Sequence, residues 1–506
     1  MNTCMRLLAP RLGPHGILLA SLAGLALLIA CPAPAFAQDS SQPATGPSAA
    51  VGANSDCLPN PTSSPEAAKL FEEGLDLRYD FHSEQALDRF REATKKDPGF
   101  ARAWAYVVLL GNDSVEAKWA AEKARLAAQN ASPGDKLLVK WVTSTDEGHF
   151  LEAIRAMNDL MAICPRDAQL NYEAGLWVRA QGDSAGAVRL TRRALEINPD
   201  FAGALNTLAY QLASMNKFDE AFSYLKRYIE LEPKDPNPYD SMAEILQAAG
   251  RLDESLEEYR QALKQDPEFF SSQKGLGDDY ALLGDEDRAR QEYAKALPIA
   301  SIPQQKLDVE IQSAITYARE GDRKRARLEL AAVLDEAAKL QLSEYQSLIH
   351  QNLALLADSS GAAFKQLDAA DAALHLPGRV SGAKRNRLLA RSLELRAQLA
   401  AASGKPATAR DAVARLEKMV QTNRTNAVER AYHGANGALL AAQKKTRSAI
   451  EELEQDPENA VSMAKLAELQ AVSGNVAGAG ETRALLQADY STTLQDWQVA
   501  RKFRPQ

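Results

Sequence analysis

The chain has 506 residues, 45% apolar and 25% charged, the profile of an ordinary soluble protein. With 59 Lys and Arg against 67 Asp and Glu the net charge is −8, which argues against a nucleic-acid binder and its strongly basic surface. Four cysteines exclude a disulfide scaffold and a cysteine-built zinc module, while the length alone, at ~100–200 residues per domain, gives three or four globular domains.

Residues 1–37 read as an export signal. Arg6 and Arg11 give a positive start, no acidic residue precedes Asp39, and the apolar run from Gly16 to Ala30 is shorter than the ~20 residues a membrane span needs. Ala35-Phe36-Ala37 before Gln38 places small residues where a signal peptidase takes them; an uncleaved anchor is the alternative. Leu28-Ile29-Ala30-Cys31 is also similar to the lipobox of bacterial lipoproteins, which would lipidate Cys31, although Pro32 and the downstream Ala-Phe-Ala count against it. Either way the chain is exported, to the periplasm in solution or to the outer membrane anchored at Cys31. Residues 38–64 contain no aromatic residue and are rich in Ser, Pro and Gly, so they form a flexible linker that cannot bury enough surface to fold. Cys57 in that linker and Cys164 remain after cleavage at Ala37; in an oxidising compartment they could form a disulfide, and two free thiols are the alternative.

From Glu66 onward the chain repeats with a period of about 34 residues. A small residue recurs at Ala86, Ala120, Ala153, Ala187, Ala221, Ser255 and Ala289, and proline recurs at Pro98, Pro165, Pro199, Pro233 and Pro267. In the unit Ala202–Asp235, Leu205, Leu208, Ala209 and Leu212 make one helical stripe, while Ala221 and Leu225 belong to a second. Gly148, Gly182, Gly250 and Gly284 fall at the turn between the two helices, where a positive φ is often needed, and the proline ends the second helix. One such pair cannot bury its own stripes, so the units must stack.

These units resemble the tetratricopeptide repeat (TPR) family. The resemblance implies an all-α fold, a right-handed α-solenoid of antiparallel helix pairs (a TPR superhelix), regular over 65–302. Beyond it the anchors Ala326, Ala363, Ala409, Ala449 and Ala479 are unevenly spaced and the closing proline is lost, so 303–489 reads as degenerate repeats with a break at 375–387. The last residues, 490–506, read as a capping helix and tail with Leu494 and Trp497 on one face, completing about eleven hairpins.

No His-Glu-x-x-His, Walker loop, nucleophile elbow or dinucleotide fingerprint is present, so no catalytic, metal or cofactor residue is assigned. The TPR resemblance instead implies a peptide-binding groove lined by the fifth, ninth and twelfth positions of successive first helices. Here these are Tyr172, Leu176 and Arg179; Asn206, Tyr210 and Ala213; Asp240, Glu244 and Gln247; Lys274 and Asp278. The basic clamp by which the chaperone-docking members hold a terminal carboxylate is missing. The expected function is a non-enzymatic scaffold of the bacterial envelope or periplasm that binds a protein or peptide partner, without nucleic acid and with membrane contact only through a lipid anchor. The alternatives are an accessory or regulatory subunit of an envelope enzyme or assembly complex, an enzyme with its site in 303–489, or a passive spacer.

Overall fold

The computed structural model describes residue 58 and residues 62–503, apart from 80–81, 112–113, 377–379, 381 and 423. The expected export signal, Cys31, Cys57 and nearly all of the 38–64 linker lie outside the described residues. Among the described residues the regular structure is entirely helical, and no helix is long and apolar enough to cross a membrane.

The helices pair in chain order. The regular part comprises α1 (Pro65–Tyr79) with α2 (Ser83–Lys96), α3 (Ala101–Leu110) with α4 (Ser114–Ala128), α5 (Pro133–Asp146) with α6 (Phe150–Ile163), and α7 (Ala168–Ala180) with α8 (Ser184–Ile197). It continues with α9 (Ala202–Ala213) and α10 (Phe218–Leu231), α11 (Asn237–Ala248) and α12 (Leu252–Gln265), and α13 (Phe270–Leu283) and α14 (Glu286–Ala296). Then follow α15 (Pro303–Arg319) with α16 (Arg323–Lys339), α17 (Ser343–Leu355) with α18 (Ser360–Ala373), and α19 (Gly382–Ala402) with α20 (Pro406–Thr422). The last pairs are α21 (Asn426–Ala442) with α22 (Thr446–Leu453) and α23 (Ala460–Val472) with α24 (Val476–Gln487), before a short α25 (Leu494–Ala500). Among the described residues, twelve hairpins thus stack into one helical solenoid, where about eleven were expected.

The seam between the two helices of a hairpin explains the alanine period. Ala86, Ala120, Ala153, Ala187, Ala221 and Ala289 are fully buried, and so are Ala326, Ala409 and Ala449 in the uneven half. Any longer side chain there would push two helix backbones apart. Serine is tolerated at position 255 because its Oγ donates to the Ala243 carbonyl across the seam, at 2.8 Å. The anchors are unevenly spaced after residue 302 because the helices lengthen: α15, α16, α20 and α21 have 17 residues each and α19 has 21, whereas α22 has eight.

Most hairpins turn by a recurring device. Gly182 has φ 90° and the Asp183 N–H donates back to the Val178 carbonyl at 3.0 Å, closing the last turn of α7 in a Schellman arrangement. The same bond closes the turns at Gly148, Gly250, Gly284, Gly404 and Gly474, and also those where Asn216, Gln341 and Lys444 take a positive φ.

Candidate binding groove

The first helices of consecutive hairpins lie side by side. Across α7, α9, α11 and α13 they enclose a cavity of about 490 Å³ that brings together Arg179, Tyr210, Glu244, Gln247, Lys274 and Asp278, six of the nine polar and aromatic groove residues expected from the sequence. Ala213, Ala248 and Gly275 give it a floor of small residues, and Gly275 leaves room for the Tyr259 ring, which a Cβ there would meet at 2.3 Å. Around this floor the polar groups bond to one another. The Tyr210 hydroxyl donates to the Glu244 carboxylate, and the Gln247 amide donates to Asp279 Oδ1 at 2.8 Å. Lys274 Nζ sits 2.5 Å from Asp278 Oδ2, whose other oxygen accepts from the Tyr293 hydroxyl at 2.7 Å. Burial pushes the carboxyls beneath the cavity up to about 7, with the Glu244 charge adding to the effect at Asp240 and the Asp278 charge adding to it at Asp279. The rim therefore offers an exposed guanidinium, an exposed carboxylate, an amide and a phenol: donors and acceptors at the spacing of successive helices, suited to hydrogen-bonding an extended backbone.

The remaining three expected residues do not reach the surface. Tyr172 is buried, its hydroxyl 2.9 Å from Thr207 Oγ1 and its ring packed on Tyr79 and Phe201, with centroids 5.7 and 5.0 Å away. Asn206 and Asp240 are buried as well, and Asp240 Oδ1 accepts from Ser272 Oγ at 2.6 Å. All three occupy the fifth position of their repeat unit. Neighbouring first helices approach closely enough to bury that position in the seam between them, where Tyr172 and Asp240 bond to the next first helix. Tyr172, Asn206 and Asp240 are thus framework residues, a correction to the sequence reading. Cys164 is buried at the end of α6 and is disulfide-bonded; Cys57 lies outside the described residues.

A second cavity was not anticipated. It measures about 360 Å³, lies along α3, α5 and α7, and is walled by Tyr106, Trp141, Leu176 and Trp177. Arg78, from the end of α1, lines it together with Glu173, to which it is bound through two hydrogen bonds of 2.9 Å each. Trp177 Nε1 donates to Thr145 Oγ1 at 3.0 Å, whereas the buried Trp141 Nε1 has no partner. The available signal was two of the chain's five tryptophans on consecutive first helices. Among the described residues no group of three or more His, Cys, Asp or Glu is placed to hold a metal ion.

Tetratricopeptide-repeat family models match the chain over residues 178–245 and 241–304. Among solved structures the chain is similar to a thermophilic TPR protein of Thermus thermophilus, with 24% identity and a TM-score of 0.29 over 34% of this chain and 92% of that one. A tetratricopeptide repeat protein from Parabacteroides merdae gives 14% identity and a TM-score of 0.34 over 53% of this chain and 93% of its own. A mutant O-GlcNAc transferase of Thermobaculum terrenum gives 20% identity and a TM-score of 0.24 over 26% of each chain. No curated protein matches the chain.

Proposed function

The chain belongs to the tetratricopeptide-repeat family, whose repeats build protein–protein interaction scaffolds, and from that premise we propose that it is a non-enzymatic scaffold gripping an extended segment of a partner protein across α7, α9, α11 and α13. The observation that carries this reading is the convergence of Arg179, Tyr210, Glu244, Gln247, Lys274 and Asp278 on one 490 Å³ cavity. The aromatic cavity along α3, α5 and α7 extends the same face and adds a place for an apolar side chain, with the Trp141 N–H ready for an acceptor. Hairpins continue through α24, which supports reading residues 303–489 as part of the same array.

We place the scaffold outside the cytoplasm, in the bacterial periplasm or tethered to the outer membrane by a lipid on Cys31. The export-signal features of residues 1–37 support this.

The test is crosslinking in envelope preparations, followed by affinity purification of the wild type and of an Arg179→Glu/Glu244→Lys double variant. Both side chains are exposed, so helicity and thermal midpoint should stay unchanged. A partner recovered with the wild type should fall at least ~10-fold with the variant, the effect of losing contacts worth about 1.4 kcal/mol. Equal recovery with both proteins, or no envelope partner for the wild type, would count against the reading.

A further inference from the structure

After α24 the polypeptide turns back onto its own first helices. The Thr492 carbonyl accepts from Arg319 Nη2, at the end of α15, at 2.9 Å. Leu494 is buried in a cluster with Leu307, Ile311 and Ile315 of α15 and with Ile349 and Leu353 of α17. Gln495 Nε2 donates to Gln398 Oε1 of α19 at 3.2 Å, and Val499 and Phe503 pack against the cluster that holds Met463 and Leu466 of α23. Upstream, the Tyr490 ring covers Gly250 so closely that a Cβ there would meet it at 2.3 Å. Apart from the preceding α24, the helices it touches, α15, α17, α19 and α23, are all first helices of hairpins. The segment thus occupies, in the second half, the face that is open in the first.

It is built as a ligand is built. Thr493 caps α25, accepting from the Asp496 N–H at 3.2 Å while its hydroxyl donates to Asp496 Oδ2 at 2.7 Å, so the short helix carries its own start signal. Leu494, Trp497 and Ala500 follow at intervals of three and form one stripe. Two guanidinium groups stack on the Trp497 ring, Arg319 5.5 Å and Arg501 4.4 Å from its centroid.

The fit is incomplete in two respects. Beside the segment, a cavity of about 740 Å³ opens between Val499 and Phe503 on one side and Ala401, Ala438 and Ala464 on the other. Arg319 is 7% exposed, yet its Nε and Nη1 have no hydrogen-bond partner; the segment satisfies one of its nitrogens with a neutral carbonyl, and the carboxyl that feels its charge, Glu286, is itself buried with an oxygen unpaired. A buried guanidinium is better met by a carboxylate.

We infer that the face formed by α15, α17, α19 and α23 is a docking site for a short amphipathic helix of a partner protein. That helix carries an aliphatic residue and a tryptophan three positions apart and an acidic group that reaches Arg319. Residues 489–503 are its resident occupant and hold the face closed until such a helix displaces them. This site is separate from the cavity on α7 to α13, and the two stand or fall independently. Tethering gives the resident segment an effective concentration on the order of 1 mM, so a free peptide of equal intrinsic affinity is outcompeted in the intact chain.

The probe is a fluorescein-labelled peptide of residues 489–506, titrated into the full chain and into a Leu494→Asp/Trp497→Ala variant, which alters the occupant and leaves the face intact. The variant should bind the peptide at least ~10-fold more tightly than the wild type, and a peptide carrying the same two changes should not bind. Equal binding to both proteins, or none to either, overturns the proposal. Should the variant lose its cooperative helical melt, hydrogen exchange on the wild type decides. Amides of residues 497–501 exchanging at least ~100-fold faster than those of α15 and α17 support a displaceable segment, and equal protection overturns it.

Discussion

Tyr172 and Tyr210 were assigned to one groove on the same periodic argument, and they do different work. Tyr172 is enclosed by Tyr79, Phe201 and Thr207, whereas Tyr210 is half-buried at a cavity rim with its hydroxyl on Glu244. Removing the first ring leaves a void among helices that cannot all close in. Tyr172→Ala should therefore cost about 3–5 kcal/mol, as large aromatic truncations in cores do, and Tyr210→Ala about 1 kcal/mol or less. Urea unfolding followed by helicity measures both, and similar losses for the two variants would contradict the placement. The sequence could not separate them because periodicity tells which side of a helix a residue faces, not how close the next helix comes. That distance depends on how adjacent units pack, and position five lies on the boundary between seam and groove.

At the scale of the hairpin, the turn glycines look alike in sequence and differ in their surroundings. Gly148 has φ 76° with open space around it, while Gly182 has φ 90° and an added Cβ would come within 2.7 Å of Asn426 Nδ2, at the start of α21. Gly148→Ala should therefore cost about 1 kcal/mol, the penalty of an L-residue in the left-handed region. Gly182→Ala adds the displacement of Asn426 and should cost clearly more, read as a larger drop in thermal midpoint. Identical drops would mean that Asn426 yields freely. The backbone term alone is bearable, since Asn216 and Lys444 adopt the same conformation in sister hairpins and Gln341 does so between two hairpins. The hairpins themselves were legible, even in the uneven half, because Ala326, Ala363, Ala409, Ala449 and Ala479 mark seams whatever the helix length. The contact from Gly182 to Asn426 was not, since it joins distant hairpins and leaves no periodic trace.

Over the whole molecule, the stacked helices bury carboxyl groups that an isolated hairpin would leave in water. Asp279 and Glu286 are buried, each with an oxygen that has no hydrogen-bond partner, and burial pushes both up to about 7 from ordinary values of 3.8 and 4.5. Asp240 is raised to about 7 by burial with the Glu244 charge adding to it, and burial beside Asp456 drives Glu394 well above the usual carboxylate range. The folded chain therefore keeps protons that the unfolded chain releases near pH 4. Their stabilising contribution is complete below the unfolded values and is lost as pH rises through about 7. Each such group lowers stability by up to roughly 1.4 kcal/mol per pH unit across that window. The thermal midpoint should thus fall between about pH 4 and pH 7 and level off above that. An Asp279→Asn/Glu286→Gln variant should reduce that slope, because neither side chain can then ionise. A midpoint that rises between about pH 4 and pH 7, or a slope unchanged in the double variant, would show that these carboxyls ionise freely in the folded chain and that the seams around them admit water.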